Sequence, residues 1–149
     1  MFLGSFFDGC LPGAFTSQEG NEMKMRVYYE DTDAAGVVYY ANYLRYFERG
    51  RTEYLRERGI SVGDLARRGF IFPVVRLEID YRAPALHDDL LSVETAVLEI
   101  KKTSFALSQR VLRAGDGKLL VAGKVVLACV DREMKLQRLP EELVQVLKE

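Results

Sequence analysis

The sequence predicts an α+β fold, an antiparallel sheet of about five strands wrapped around one long helix. Three observations carry that expectation. Apolar residues recur with helical spacing at Tyr40, Tyr43, Leu44, Phe47, Tyr54 and Leu55. The chain after Phe70 breaks into strand-length segments joined by short turns, which favours antiparallel neighbours. The helix has too much apolar face to lie in solvent, so the sheet must cover it.

Residues 1–22, MFLGSFFDGCLPGAFTSQEGNE, are apolar and Gly-rich without a clear period. They lack the basic start of a signal peptide, and Asp8 interrupts an apolar run already too short to span a bilayer. The expectation is a poorly ordered extension followed by one domain over residues 23–149, with Met23 or Met25 as its real beginning.

Lys24 to Asp31 alternates, Met25, Val27 and Tyr29 on one side, and reads as a half-buried strand. The long helix follows, and Gly59 stops it behind Arg56 and Arg58 in the last turn. Gly50 lies on the apolar face, where a small residue lets another backbone come close. Ser61 as N-cap with Asp64 in the first turn opens a short helix to Arg68. Phe70 to Arg82 is β-rich, and Pro73 within it marks an edge, a strand start or a bulge. Ala83 to Asp89 is a turn, Leu90 to Lys101 and Thr103 to Arg113 are strands, and Gly115-Asp116-Gly117 turns into a last strand, Lys118 to Asp131. Pro140 opens a C-terminal helix. The last strand is apolar on both faces, Val121 and Val125 on one, Leu120, Ala122 and Val126 on the other. One helix covers one face, so the other is expected to meet another subunit.

Composition narrows the function. With 149 residues, 48% hydrophobic and 29% charged, the chain has the make-up of one soluble globular domain. A formal net charge of −1 makes no electrostatic case for nucleic acid as the partner. Cys10 and Cys129 form no disulfide framework, so a reducing cytoplasm is expected. The single His87 leaves little scope for a histidine metal site or a Ser-His triad. Asp31-x-Asp33-x-x-Gly36 has the opening spacing of a calcium loop, but Ala35 and Asn42 stand where later ligands belong. The stretch is instead an acidic loop delivering a carboxylate to a helix N-terminus, where unpaired N–H groups and the dipole favour negative charge. Such a pairing suits acyl chemistry.

The run Asp31-Thr32-Asp33-Ala34-Ala35-Gly36-Val37-Val38-Tyr39-Tyr40, with Asn42-Tyr43, Glu48-Arg49 and Arg51-Thr52-Glu53, resembles the 4-hydroxybenzoyl-CoA thioesterase family of the hotdog fold. It looks closest to the acyl-CoA thioesterase branch encoded beside Tol–Pal envelope genes. The resemblance covers about Arg26 to Pro140, and Asp80-Tyr81-Arg82-Ala83-Pro84-Ala85 and Thr103-Ser104 also suit it. It implies hydrolysis of an acyl-CoA to a free acid and coenzyme A, with no cofactor and no metal. By position, Asp33 matches the family's catalytic carboxylate, as nucleophile or general base. Tyr40 matches the residue whose backbone N–H faces the thioester carbonyl. The Tol–Pal branch usually carries histidine where Tyr40 stands, which leaves a backbone donor unaffected and the substrate branch open.

Gly36 and Val37 are expected to bring the loop backbone close to the acyl group. Phe72, Pro73 and Val74 are expected in the acyl pocket, across a dimer interface or within the core. Lys101 and Lys102, beside Thr103 and Ser104, are expected to meet coenzyme A phosphates. The family's oligomers imply a dimer or a tetramer built from two such dimers, with the tetramer favoured. The alternative is a non-catalytic acyl-CoA or acyl-carrier-protein binding module on the same fold. A hotdog hydratase is disfavoured because His87 lies far outside the motif.

Overall fold

The structure, a computed structural model, describes residues 22–149. The expected N-terminal extension therefore lies outside the described residues, apart from Glu22. The chain order is strand β1 (Glu22–Arg26), a 3₁₀ turn (Tyr29–Asp31), helix α1 (Asn42–Glu57), helix α2 (Val62–Arg67) and strand β2 (Val74–Tyr81). Strands β3 (Leu90–Ile100), β4 (Ser104–Arg113) and β5 (Leu119–Ala128) and helix α3 (Glu141–Lys148) follow. One five-stranded sheet results, in the order β1-β3-β4-β5-β2, with every neighbouring pair antiparallel.

The first strand is displaced from its expected place. It begins at Glu22 and ends at Arg26, because the Asp31 carboxylate accepts the Tyr28 N–H at 2.8 Å and closes the chain into a turn. Tyr29, expected on the buried side, is 78% exposed. Helix α1 opens at Asn42, leaving Tyr40 in the preceding turn and exposed. Its buried face is Tyr43, Tyr46, Phe47, Gly50, Tyr54 and Leu55, so Tyr46 joins the expected set and Leu44 leaves it. Ser61 caps α2, its hydroxyl accepting the Asp64 N–H at 3.1 Å. Pro73 directly precedes β2, which is an edge strand with a bulge between Val74 and Arg76.

The helix sits directly on the sheet at two glycines. A Cβ on Gly50 would come within 2.6 Å of Val93 on β3, and one on Gly123 of β5 within 2.6 Å of the Phe47 ring. Gln109, fully buried on β4, donates through Nε2 to the Phe47 carbonyl at 2.8 Å and to Thr95 Oγ1 at 3.0 Å. These contacts set the height of α1 above the sheet, and with it the position of the loop that leads into the helix.

On β5 the row of side chains facing away from α1 is covered in part, with Lys124 and Val126 half-buried. Leu120 and Ala122, on the face away from α1, are fully buried within the single chain. Ala122 lies in register between Arg110 of β4 and Asp80 of β2, and ion pairs Arg110–Glu94 and Arg82–Asp80 flank that row. Long charged side chains shelter the small residues between them, so the Leu120–Ala122 part of the strand is covered without a second subunit, whereas Val126 is left half-buried.

Candidate active site

The acidic loop is closed by its own backbone. Asp33 N–H donates to the Val37 carbonyl at 2.9 Å, and Gly36 N–H donates to the Asp33 carbonyl at 2.9 Å. Gly36 takes φ +81°, a left-handed value that lets the chain reverse within four residues. Asp33 Oδ1 accepts the Ala35 N–H at 2.9 Å, which orients the carboxylate and leaves Oδ2 without a partner among the described residues. The side chain is exposed. Val37 then bridges to Leu86 and Val38 to Thr32, tying the loop to the turn before β3.

A second set of contacts, centred on Asp31, joins the loop to the helix. The Asp31 carbonyl accepts both the Tyr39 N–H at 3.0 Å and Asn42 Nδ2 at 2.9 Å. Burial pushes the pKa of the Tyr46 hydroxyl well above the ordinary tyrosine value, and the Asp31 carboxylate pushes it the same way. That contact falls short of hydrogen-bond geometry, so we read it as electrostatic. Asp31 thus braces the loop, and Asn42 is the strut between loop and helix.

Tyr40 follows directly. Its N–H finds no acceptor among the described residues, and the Tyr40 carbonyl accepts the Tyr81 hydroxyl at 2.9 Å. Helix α1 has no side-chain cap and no acid in its first turn, so no carboxylate of its own first turn offsets its dipole, although the Asn42 and Leu44 N–H groups bond to the Tyr39 and Ala41 carbonyls. Tyr40, Tyr43, Tyr81, Val38 and Pro84 border an open hollow of about 260 Å³. The Tyr40 and Tyr81 rings meet edge to face at 6.3 Å between centroids. Burial raises the Tyr81 hydroxyl above its usual pKa, with Tyr40 adding to the shift, so Tyr81 remains a neutral donor at physiological pH.

The remaining expected residues lie elsewhere. Phe72 packs edge to face on Phe105 at 5.9 Å and lines a partly open, mostly apolar cavity of about 200 Å³ that Asp33 and Tyr40 do not line. Pro73 and Val74 stand beside it at the start of β2, where Val74 is 45% exposed. Lys101 and Lys102 are exposed in the β3–β4 turn, which the Lys101 N–H closes on the Ser104 carbonyl at 2.8 Å. Lys101 and Ser104 border a polar hollow with Arg76, Glu99 and Lys124. The Thr103 carbonyl accepts the Cys129 N–H at 2.7 Å, a fold contact. So the structure joins Asp33, Gly36, Val37 and Tyr40 in one loop and leaves the acyl and phosphate candidates as separate patches of the single chain. Sequence reasoning missed the Asn42 strut and the Tyr81 hydroxyl, although both residues lie in motif stretches.

Among the described residues no three His, Cys, Asp or Glu side chains cluster as a metal site would require. No described helix is long and apolar enough to cross a membrane.

Comparison with known proteins adds four findings. A family model described as the thioesterase-like superfamily matches residues 27–147. The acyl-CoA thioester hydrolase YbgC of Escherichia coli is 40% identical over 126 residues, covering 84% of this chain and 93% of that protein. The acyl-CoA thioesterase YbgC of Haemophilus influenzae is 45% identical over 126 residues, covering 83% and 91%. Among solved structures, a 1,4-dihydroxy-2-naphthoyl-CoA thioesterase from Synechocystis superposes with a TM-score of 0.81 at 25% identity, covering 86% of this chain and 95% of that one.

Proposed function

This chain belongs to the thioesterase-like superfamily and has its hotdog fold, and from that premise we propose that it hydrolyses acyl-CoA thioesters, with Asp33 as the reacting carboxylate and the Tyr40 N–H as oxyanion donor. The observation that carries the residue assignment is their pairing. Among the described residues, an exposed carboxylate with one unengaged oxygen stands in the same short loop as an N–H without an acceptor, just before a helix that has no side-chain cap.

The chemistry follows two routes that share this geometry. In one, Asp33 takes a proton from water and the hydroxide adds to the thioester carbonyl carbon. In the other, Asp33 adds directly, giving a mixed anhydride that water then opens. Either way the carbonyl oxygen becomes an anion beside the Tyr40 N–H and the C–S bond breaks; in the first route Asp33 returns its proton to the coenzyme A thiolate, and in the second the thiolate leaves as an anion and takes a proton from solvent. A preorganised backbone donor acts where charge develops and is worth roughly a hundredfold or more in rate. No step calls for a metal or a cofactor. Gly36 and Val37 bring the loop backbone against the acyl group.

Phe72, Pro73 and Val74 are assigned to the acyl pocket. Asp33 of the same chain does not line the Phe72 cavity, which supports a pocket completed between copies. Lys101 and Lys102, with Thr103 and Ser104 shaping their turn, are assigned to the coenzyme A phosphates, and Arg76 and Lys124 add positive charge nearby. We assign a homotetramer in the cytoplasm, where acyl-CoA is made. Light scattering is expected to give a multiple of 17.0 kDa, and a monomer at micromolar concentration would refute the assembly.

The test is hydrolysis across a panel of short, long and aromatic acyl-CoA substrates, run with wild type and Asp33→Asn. Turnover that falls at least about a hundredfold in the variant supports the assignment. An inactive wild type that still binds acyl-CoA would favour the non-catalytic binding module.

A further inference from the structure

The cavity beneath Phe72 is bordered by a cation that forms no ion pair among the described residues. Arg51, on α1, borders it and is half-buried, and it has no hydrogen bond or ion pair among the described residues. Burial pushes its guanidinium below the ordinary arginine value, and Glu48, one turn earlier on α1, offsets this from beyond ion-pair distance. The rest of the wall is graded. Glu48 is exposed, Arg51 and Thr52 are half-buried, and Phe105, Leu107, Leu127 and Leu143 are buried. A desolvated, unpaired cation is costly, and the planar guanidinium fork matches a carboxylate. An apolar pocket with a few polar groups at one side is the ordinary form of a small-molecule site.

We propose that this cavity binds a small carboxylic acid, its carboxylate on the Arg51 guanidinium and its apolar tail among Phe105, Leu107, Leu127 and Leu143. The size agrees. A cavity of about 150 Å³ accepts benzene, so about 200 Å³ takes a tail of roughly five or six carbons. The neighbouring Glu48 carboxylate disfavours a doubly charged phosphate more than a monoanion. Asp33 and Tyr40 are not in the wall, so an acid bound here leaves this chain's reacting loop open. Acids of this class are the products of thioester hydrolysis. That source rests on the hydrolase reading, whereas the binding itself does not and is tested without turnover.

The experiment is calorimetric titration of the full chain with hexanoate and, separately, hexan-1-ol. The expected result is saturable hexanoate binding at least about tenfold tighter than hexanol, the scale of a charge-assisted hydrogen bond. Arg51→Met, which keeps the stem and removes the charge, should abolish that margin while leaving hexanol unchanged, and Asp33→Asn should preserve it. Equal binding of the two ligands by wild type would overturn the proposal. So would the absence of hexanoate binding up to about 10 mM, as expected if a second copy supplies a carboxylate to Arg51. Arg51→Met binding hexanoate like wild type would overturn it as well. Should that variant fail to fold, the two ligands on wild type decide alone. Hexanoate binding by a protein that hydrolyses no acyl-CoA would uphold this site and reject the hydrolase reading.

Discussion

Gly36 and Gly50 lie fourteen positions apart, one in the acidic loop and one on the helix that follows, and they are glycines for opposite reasons. At Gly36 a Cβ would meet nothing within 4 Å, but the backbone is left-handed at φ +81°. At Gly50 the backbone is helical, but a Cβ would lie 2.6 Å from Val93. The loop is a conformation held in open space; the seam between helix and sheet is a packing constraint with no room to spare. The proposed chemistry lies in the first region and the stability in the second, so substitutions in the two should separate activity from folding.

The largest effect is expected at the seam. Gly123→Val would drive a branched side chain into the Phe47 ring and toward the Glu78 carbonyl, with an overpacking cost of about 3 kcal/mol. For a chain of this size that lowers Tm by roughly 10 °C. Thermal melting checks it, and an unchanged Tm would mean that Phe47 moves aside freely. Next in size, Asp33→Asn should leave Tm within about 2 °C, because asparagine serves nearly as well in a turn or as a cap. Its barrier to hydrolysis should rise by at least about 2.7 kcal/mol, a hundredfold in kcat. A variant that lost stability and activity together would make Asp33 part of the scaffold.

Asn42→Ala tests the strut between the two regions. Losing the bond to the Asp31 carbonyl should cost about 1 kcal/mol of stability. It should also lower kcat about tenfold with KM little changed, since the strut positions groups that act in the transition state. If KM rose and kcat held, Asn42 would be a binding residue. The smallest effect is expected for Tyr40→Phe. A backbone donor does not depend on the side chain, so kcat should stay within roughly threefold of wild type. A hundredfold loss would move the donor role to the phenol.

Much of the fold is legible in the sequence because its signals are local. The turn at Gly115-Asp116-Gly117, the Ser61 cap, Pro140 before α3 and the apolar stripe of α1 each depend on neighbours within a few residues. The loop that joins Asp33, Gly36, Val37 and Tyr40 is legible for the same reason: these residues are close along the chain and share one turn. The first strand was misplaced where a single side chain, the Asp31 carboxylate, turned alternation into a 3₁₀ turn.

What only the tertiary structure decided involves residues far apart in sequence. Gln109 reaches the Phe47 carbonyl across 62 positions, and the Tyr81 hydroxyl reaches the Tyr40 carbonyl across 41. Neither has a spacing that a periodicity could reveal. The burial of Tyr46 was decided by where the helix lands on the sheet, and the cover over Leu120 and Ala122 by charged neighbours on adjacent strands. Arg51 is one more arginine on a charged helix until the sheet closes beneath it and half-buries its side chain. Local order is set by propensity and spacing along the chain, whereas the charge left in a cavity depends on which surfaces packing brings together.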